Sequence, residues 1–304
     1  METSIIVVSW NTRELLEACL ASVFAYPPSG EFEVWVVENA SKDGSDRMVR
    51  ERFPGVKLIE SKTNLGFGAA NNLAIRQSEG RYFLLLNPDT EVRPNALETL
   101  VNFMDKHPEA GASGPCLLNP NNSLQPSCSP VPTLRSELLR MFHLPGIRPD
   151  GYYAMGGWDR TRAKEVDVML GACMLLRQEA VDKAGAFDED FFMYSEEVDL
   201  CSRIRKAGWQ LFWVPQAEVV HHGGQSTRQA ASEMFITLYR SKLQYFRKHH
   251  NWTAAPVYKT ILFFACLARL AASPLVLFEK KTEREQHLKL VGNYRRLLFS
   301  LPGL

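Results

Sequence analysis

The chain has 304 residues, enough for one large domain with an appendage or for two modest domains. Hydrophobic residues make up 45% and charged residues 23%, an ordinary globular composition that excludes disorder for most of the chain. The net charge of +1 gives no global electrostatic case for nucleic acid as a partner. Taken in chain order, the start METSIIVVSW has neither a basic n-region nor a long apolar h-region, so Ile5–Trp10 reads as a buried first strand rather than a signal peptide. Asn11, with Glu14 three residues on, offers a capping box for a helix in which Leu15, Leu16, Cys19, Leu20 and Val23 recur at helical spacing. Val34–Val37 is a second strand, followed by a polar turn over Ser41–Ser45, and Val56–Ile59 is a third. Ala69–Gln77 reads as a helix closed off by Gly80, and Tyr82–Leu86 as a fourth strand. Unbroken apolar strands suit a central parallel sheet covered on both faces, and the β-α alternation points to an α/β sandwich.

Between Asn119 and Lys164 the pattern dissolves into loops rich in proline (Pro120, Pro126, Pro130, Pro132, Pro145 and Pro149), with one short helix near Leu134–Phe142. Loops this long in a compact domain are usually functional. Order returns with a strand pair or long strand over Val166–Leu176, helices over Gln178–Ala184 and Glu197–Lys206, and strands over Gln210–Val214 and Val219–His221. Beyond residue 230 the character changes. Phe235, Leu238, Tyr239, Leu243 and Phe246 share a helix face, Ile261–Phe278 is apolar apart from Arg269 and Pro274, and Lys280–Arg296 is charged with basic residues predominating. The six cysteines form no CxxC pair and have no metal-site spacing, which fits a reducing, cytoplasmic compartment.

Five motifs carry chemistry. VVENASKDGS places Glu38, Asn39 and Asp43 just past a strand end, where open α/β sheets bind ligands; the same residues also suit a turn that satisfies its own backbone. NLGFGAANN offers Gly66 and Gly68 for close backbone approach before a helix. It differs from a dinucleotide fingerprint, because Asn71 stands at the third glycine position. LLLNPDT ends an apolar strand in Asn87-Pro88-Asp89, delivering a hard oxygen ligand suited to magnesium or manganese, or simply a Pro-Asp turn. FFMYSEEVD puts Glu196, Glu197 and Asp199 in the first turn of a helix, where the dipole alone favours acids. Their apolar approach also allows burial and mutual repulsion to raise one pKa toward a useful base. VVHHGGQS ends a strand in His221 and His222, and an imidazole beside Asp89 would make a mixed nitrogen and oxygen site acceptable to manganese.

In this order, from SIIVVSWN through VVENASKDGS, NLGFGAANN, LLLNPDT, GACMLLR and FDEDFFMYSEEVDLCSRIRKAGW to HHGGQS, the motifs resemble the family-2 glycosyltransferases of the GT-A fold, especially their bacterial rhamnosyltransferase-like branch. The resemblance covers roughly residues 4 to 250. It implies a Rossmann-like, mixed and mostly parallel sheet with helices on both faces, and a C-terminal helical appendage. Residues 1–230 would form the catalytic domain, with 1–115 binding the nucleotide sugar and 116–230 carrying acceptor and catalytic groups, and 231–304 the helical region. Ser9, Asn11, Glu38, Asn39, Asp43 and Asn87 are implied in donor binding, with Asn64, Gly66, Gly68 and Asn72 as the nucleoside and ribose wall. Glu38 stands where the family usually has Asp. Gly171, Ala172, Cys173 and Asp199 are implied at the donor sugar and acceptor, Asp89 and His221 at a divalent cation, Mg2+ or Mn2+. In SEEVD the second acid, here Glu197 in place of the usual Asp, is implied as catalytic base, with Glu196 beside it.

The resemblance further implies a single inverting displacement from a nucleoside-diphosphate sugar, dTDP-rhamnose foremost and UDP-hexoses next. The acceptor would be a hydroxyl of a saccharide or a polyprenyl-diphosphate-linked saccharide at the cytoplasmic face of the membrane, in cell-surface polysaccharide synthesis. No nucleic acid is implied. The apolar C-terminal run reads as an interfacial helical region with a basic surface, or as a helical hairpin or homodimer interface. A sugar nucleotidyltransferase would need a glycine-rich loop after the first strand, where this chain has Ser9-Trp10-Asn11-Thr12-Arg13. A catalytically dead nucleotide-sugar-binding protein is the other alternative.

Overall fold

The computed structural model describes residues 1–142, 144, 151–225, 229–274 and 281–304. Pro145, Pro149, Ser226 and the end of the apolar run at 275–280 lie outside them. A mixed sheet with flanking helices is built from β1 (Thr3–Ser9), β2 (Phe32–Glu38), β3 (Lys57–Glu60), β4 (Tyr82–Leu86), β5 (Thr90–Val92), β6 (Ala110–Leu118), β8 (Lys164–Glu165), β10 (Cys173–Arg177) and β11 (Gln210–His221). Its order is β3-β2-β1-β4-β10-β6-β11-β5, with β8 beside β11. Only β10, β5 and β8 pair antiparallel. Because β4 and β6 both run opposite to β10, and β11 runs with β6, the carboxyl ends of β1, β2, β4, β6 and β11 share one sheet edge. That shared edge positions the site.

Strand alternation explains the two faces. Ile5, Val7, Val36, Leu84 and Leu86 enter one core with Leu16 and Leu20 of α1 (Arg13–Ala25), Met48 of α2 (Ser45–Arg52) and Leu100 and Met104 of α4 (Ala96–Lys106). Ile6, Val37, Phe83, Leu85 and Met174 enter the other with Ala70 of α3 (Phe67–Ile75), Val181 of α6 (Gln178–Ala184) and Leu200 and Ile204 of α7 (Glu196–Lys206). β1, β4 and β6 are buried along their whole length, as strands covered on both faces must be. All six thiols are free and buried.

The sequence reading needs correction at four places. Helix α1 is capped at Thr12 without a side-chain hydrogen bond, so Asn11 forms no capping box; it takes a left-handed φ of 51° and its Oδ1 accepts the Lys42 N–H. The run 166–176 is two strands in different sheets: β9 (Val168–Met169) pairs with β7 (Cys128–Ser129), while β10 joins the main sheet. The two strands expected over 210–221 are one, interrupted by an irregularity between Val214 and Glu218. β6 and β5 were not expected at all.

A second compact unit comprises residues 132–151, 193–195 and 230–304. Its described helices are α5 (Leu134–Met141), α8 (Ala231–His249), α9 (Ala254–Ala272) and α10 (Lys281–Ser300). Within this unit α5 packs on the C-terminal helices: its Met141 joins Tyr239, Phe246, Tyr258, Leu262 and Leu297 in one core. At its centre the buried Glu137 carboxylate accepts from Arg140 at 2.5 Å, Lys242 at 2.8 Å and the Tyr258 hydroxyl at 3.1 Å. Burial pushes this carboxyl up, but the charges of Lys242 and Arg140 pull it down to about 2.

Candidate active site

The shared strand edge gathers most of the motif residues. β1 ends at Ser9 opposite Glu38 of β2, and the Asn39 N–H donates to the Ser9 carbonyl at 2.9 Å. Glu38 Oε1 accepts the Ser41 N–H at 2.8 Å, closing the turn after β2. Asn39, 2% exposed, is used up by the glycine-rich loop: its Oδ1 accepts the Leu65 N–H, and its Nδ2 donates to Asn64 Oδ1 and the Gly66 carbonyl. Asn64 Oδ1 also accepts the Gly66 N–H at 2.9 Å. Asp43 joins the two loops, accepting the Arg13 N–H at 2.8 Å through Oδ2 and the Ser45 N–H through Oδ1. Ser9 Oγ and Thr12 Oγ1 are 3.1 Å apart. These residues close the loops at the ends of β1 and β2 on one another, Asn39 and Asp43 through the backbone they fasten.

Asn72 faces another way. It is 3% exposed on α3, where its Nδ2 donates to the Phe187 carbonyl and Glu189 Oε1 and its Oδ1 accepts the Phe187 N–H. It therefore anchors the segment leading into the acidic motif. Gly68 allows the same approach, since a Cβ there would meet Phe187 Cβ at 3.0 Å. Gly66 has φ +81°, and a Cβ on it would lie 1.9 Å from the Phe192 carbonyl oxygen, which accepts the Phe67 N–H at 2.9 Å. Only glycine fits there.

Beyond β4, the Asn87 N–H donates to the Ala172 carbonyl at 2.8 Å, so the Asn87-Pro88-Asp89 turn abuts the start of β10. Ala172 and Cys173 are both buried, and burial pushes the Cys173 thiol well up, so that only backbone is offered there. A Cβ built on Gly171 would touch Phe67 at 3.4 Å and Glu197 Cβ at 3.6 Å. This places Glu197 directly over the Gly171 backbone, at the start of α7. Glu196 is 4% exposed, and burial, reinforced by the adjacent Glu197, raises its carboxyl well above the ordinary range. Asp199 is fully buried, and its Oδ2 accepts from Arg203 at 2.8 Å. Arg203 also donates to the carbonyls of Ala184, Gly185 and Ala186. Asp199 thus orients Arg203, which clamps the loop after α6.

Asp89 and His221 meet where β11 ends beside β5, with the His222 N–H donating to the Asp89 carbonyl at 2.9 Å. Burial would raise the Asp89 carboxyl, but His221 and the Gln225 N–H hold it below the usual carboxylate range. His221 Nδ1 lies 2.7 Å from Gln125 Oε1. That amide is oriented by its NH2 end, which donates to Asn119 Oδ1 and the His221 carbonyl. Nδ1 therefore donates to Gln125 Oε1, which orients the ring so that Nε2 lies 3.3 Å from Asp89 Oδ1. A buried imidazole and carboxylate brought this close can pair with each other or serve together as nitrogen and oxygen ligands. The pair thus fits a divalent ion completed by phosphate oxygens. Among the described residues there is no cluster of three or more His, Cys, Asp or Glu that could hold a metal without such help. The positioning glutamine, Gln125, was invisible in the sequence, standing in the proline-rich loop without spacing or neighbours to mark it.

A mixed, mostly parallel sheet with flanking helices, its motif residues gathered along one strand edge, is the arrangement of the GT-A glycosyltransferases. Comparison with known proteins supplies the family. The glycosyl transferase family 2 profile matches residues 4–184, and that of glycosyl transferase family group 2 matches residues 147–278. The chain is 30% identical over 301 residues to the N-acetylglucosaminyl-diphospho-decaprenol L-rhamnosyltransferase of Mycobacterium tuberculosis, covering 94% of this chain and 97% of that one. It is 28% identical over 207 residues to the rhamnosyltransferase WbbL of Escherichia coli K12, covering 66% and 76%. Among solved structures, Staphylococcus aureus TarS 1-349 matches with a TM-score of 0.53 at 16% identity, over 100% of this chain and 92% of that one. The mannosyltransferase PcManGT from Pyrobaculum calidifontis, in complex with GDP-Man and Mn2+, matches with a TM-score of 0.52 at 18% identity, over 99% and 86%. The chain belongs to glycosyltransferase family 2. Family membership removes the sugar nucleotidyltransferase alternative.

Proposed function

We propose that this glycosyltransferase transfers a sugar, rhamnose from dTDP-rhamnose foremost, to a hydroxyl of a lipid-linked saccharide at the inner face of the cell membrane, with inversion at the anomeric carbon. The observation that carries the chemistry is the Asp89–His221 pair, buried at the strand ends 3.3 Å apart with the imidazole oriented by Gln125. Asp89 and His221 would hold Mg2+ or Mn2+, and such an ion supplies charge that offsets the departing diphosphate. Residues 1–115 are assigned the nucleotide, through the loops fastened by Asn39, Asp43 and Asn64, and residues 116–230 the acceptor and the reacting groups. Glu38, at the end of β2, and Ser9 and Asn11, at the end of β1, line the donor end of the edge. Glu197 takes the proton of the acceptor hydroxyl as its oxygen forms the bond to the anomeric carbon and the bond to the diphosphate breaks. One displacement needs no covalent sugar-enzyme intermediate. The donor and acceptor classes are supported by the two rhamnosyltransferase relatives, one of them acting on a decaprenol-linked substrate by its name.

The experiment is a thermal-shift series with nucleoside diphosphates and nucleotide sugars, with and without Mn2+. The wild type is expected to show a donor-induced shift that grows with Mn2+, largest for dTDP-rhamnose. Asp89→Ala should lose the Mn2+-dependent part. An Asp89→Ala protein whose nucleotide affinity and Mn2+ response equal the wild type's would overturn the cation site.

A further inference from the structure

The turn that delivers Glu196 and Glu197 to α7 contains two successive non-glycine residues in the left-handed region, Tyr194 at φ 67° and Ser195 at φ 65°. L side chains rarely adopt this conformation, and two in a row persist only where the surroundings over-determine them. The two carbonyls immediately before the turn are both held. Phe192 O accepts the Phe67 N–H at 2.9 Å, against the bare face of Gly66. Met193 O accepts the hydroxyl of Ser241 at 2.7 Å. Ser241 lies in the middle of α8 and is 3% exposed; it and Met193 belong to the same compact unit. A serine inside a helix ordinarily turns its hydroxyl to its own preceding turn or to water. This one reaches instead to a carbonyl 48 residues earlier in the chain.

We infer that Ser241 is a positioning residue for sugar transfer: by holding the Met193 carbonyl it fixes the strained Tyr194–Ser195 turn and so aims Glu197. The inference rests on the reading of Glu197 as base. Removing the hydroxyl takes away the hold on the Met193 carbonyl while Phe192 O stays with Phe67, so the lost restraint falls on the strained turn that follows. Because the turn is continuous with the first residue of α7, relaxation moves the carboxylate and leaves the donor wall, which is fastened by Asn39 and Asp43, in place.

The test compares Ser241→Ala, the double variant Ser241→Ala/Ser195→Gly and Glu197→Gln, each assayed for kcat, donor KM and donor-induced thermal shift. Ser241→Ala is expected to lower kcat by about tenfold to a hundredfold, the cost of an ångström-scale misplacement, with donor KM and thermal shift kept. Glycine adopts the left-handed region without steric cost, so adding Ser195→Gly should restore part of the lost kcat, which a merely structural serine would not allow. A kcat for Ser241→Ala within about twofold of wild type, beside an inactive Glu197→Gln, would overturn the positioning role and leave the base intact. Loss of the donor shift in step with kcat, or no recovery in the double variant, would overturn it equally. Full activity in Glu197→Gln would instead remove the base reading itself.

Discussion

Glu196 and Glu197 are neighbours in the chain, the first buried and the second half-buried. Glu196 is sealed among core residues and its carboxyl is raised well above the ordinary range by burial and then by Glu197, while Glu197 leans over the Gly171 backbone. A carboxyl held toward its protonated form is a poor acceptor for a substrate proton, so the two acids divide the work. The sign of the pH effect follows. A group whose folded pKa is raised contributes most below its unfolded pKa and loses that contribution as pH rises toward its folded pKa. Glu196→Gln mimics the protonated form. It should match the wild type in melting temperature near pH 4.5, exceed it increasingly as pH rises, and keep kcat within about tenfold. A melting curve measured across pH 4 to 8 decides this, and a variant that falls below the wild type at the upper end contradicts the assignment.

At the scale of elements, the acidic motif works because a glycine in one loop lets another chain segment come close. Gly66→Ala combines a positive φ with a Cβ 1.9 Å from the Phe192 carbonyl. It should cost about 2 kcal/mol or more of stability in a denaturant titration and lower kcat through the displaced turn; wild-type stability and rate together would show that the approach does not matter. What the sequence revealed here divides along physical lines. Tyr82–Leu86 and Gln178–Ala184 were legible to the residue, because a continuous apolar run and an amphipathic helix write their own patterns. β6, AGASGPCLL, was not, because Gly111 and Gly114 are there to admit Trp209 and Met169 rather than to form a strand signal. Motif order brought Asp89, Glu197 and His221 forward as candidates, and Asp89 and His221 do meet in the fold. The structural duties of Asn39, Asn72 and Asp199 were not, since a hydrogen bond to a distant carbonyl or arginine leaves no trace in spacing.

At the scale of the whole molecule, the net charge of +1 conceals a segregation. Residues 231–304 carry twelve Lys and Arg against four acids, net +8, which leaves residues 1–230 with 23 against 30, net −7. Within the basic region, among the described residues, α9 is the one helix long and apolar enough to cross a membrane by length and composition. Val257, Phe263, Phe264 and Leu267 are exposed on it, and Trp252 just before it is 88% exposed. The two charged residues of α9 are engaged elsewhere: Lys259 donates to the Pro302 carbonyl, and Arg269 donates to the Met141 carbonyl and covers the Tyr294 ring. An uncharged aromatic face in a basic region has the composition that an anionic bilayer surface attracts, as the proposed lipid-linked acceptor would require. Phe263→Asp with Phe264→Asp should abolish flotation with vesicles containing anionic lipid and leave the donor-induced thermal shift unchanged. Flotation equal to wild type would remove the surface from the account.

The claim on which the rest depends is that Glu197 takes the acceptor proton. Its most direct measure is the single-turnover rate of sugar transfer by Glu197→Gln, which keeps the shape of the side chain and removes its basicity. The expected result is a fall of about 10²- to 10⁴-fold with donor binding intact. A rate within about tenfold of wild type in a folded, donor-binding protein would contradict it.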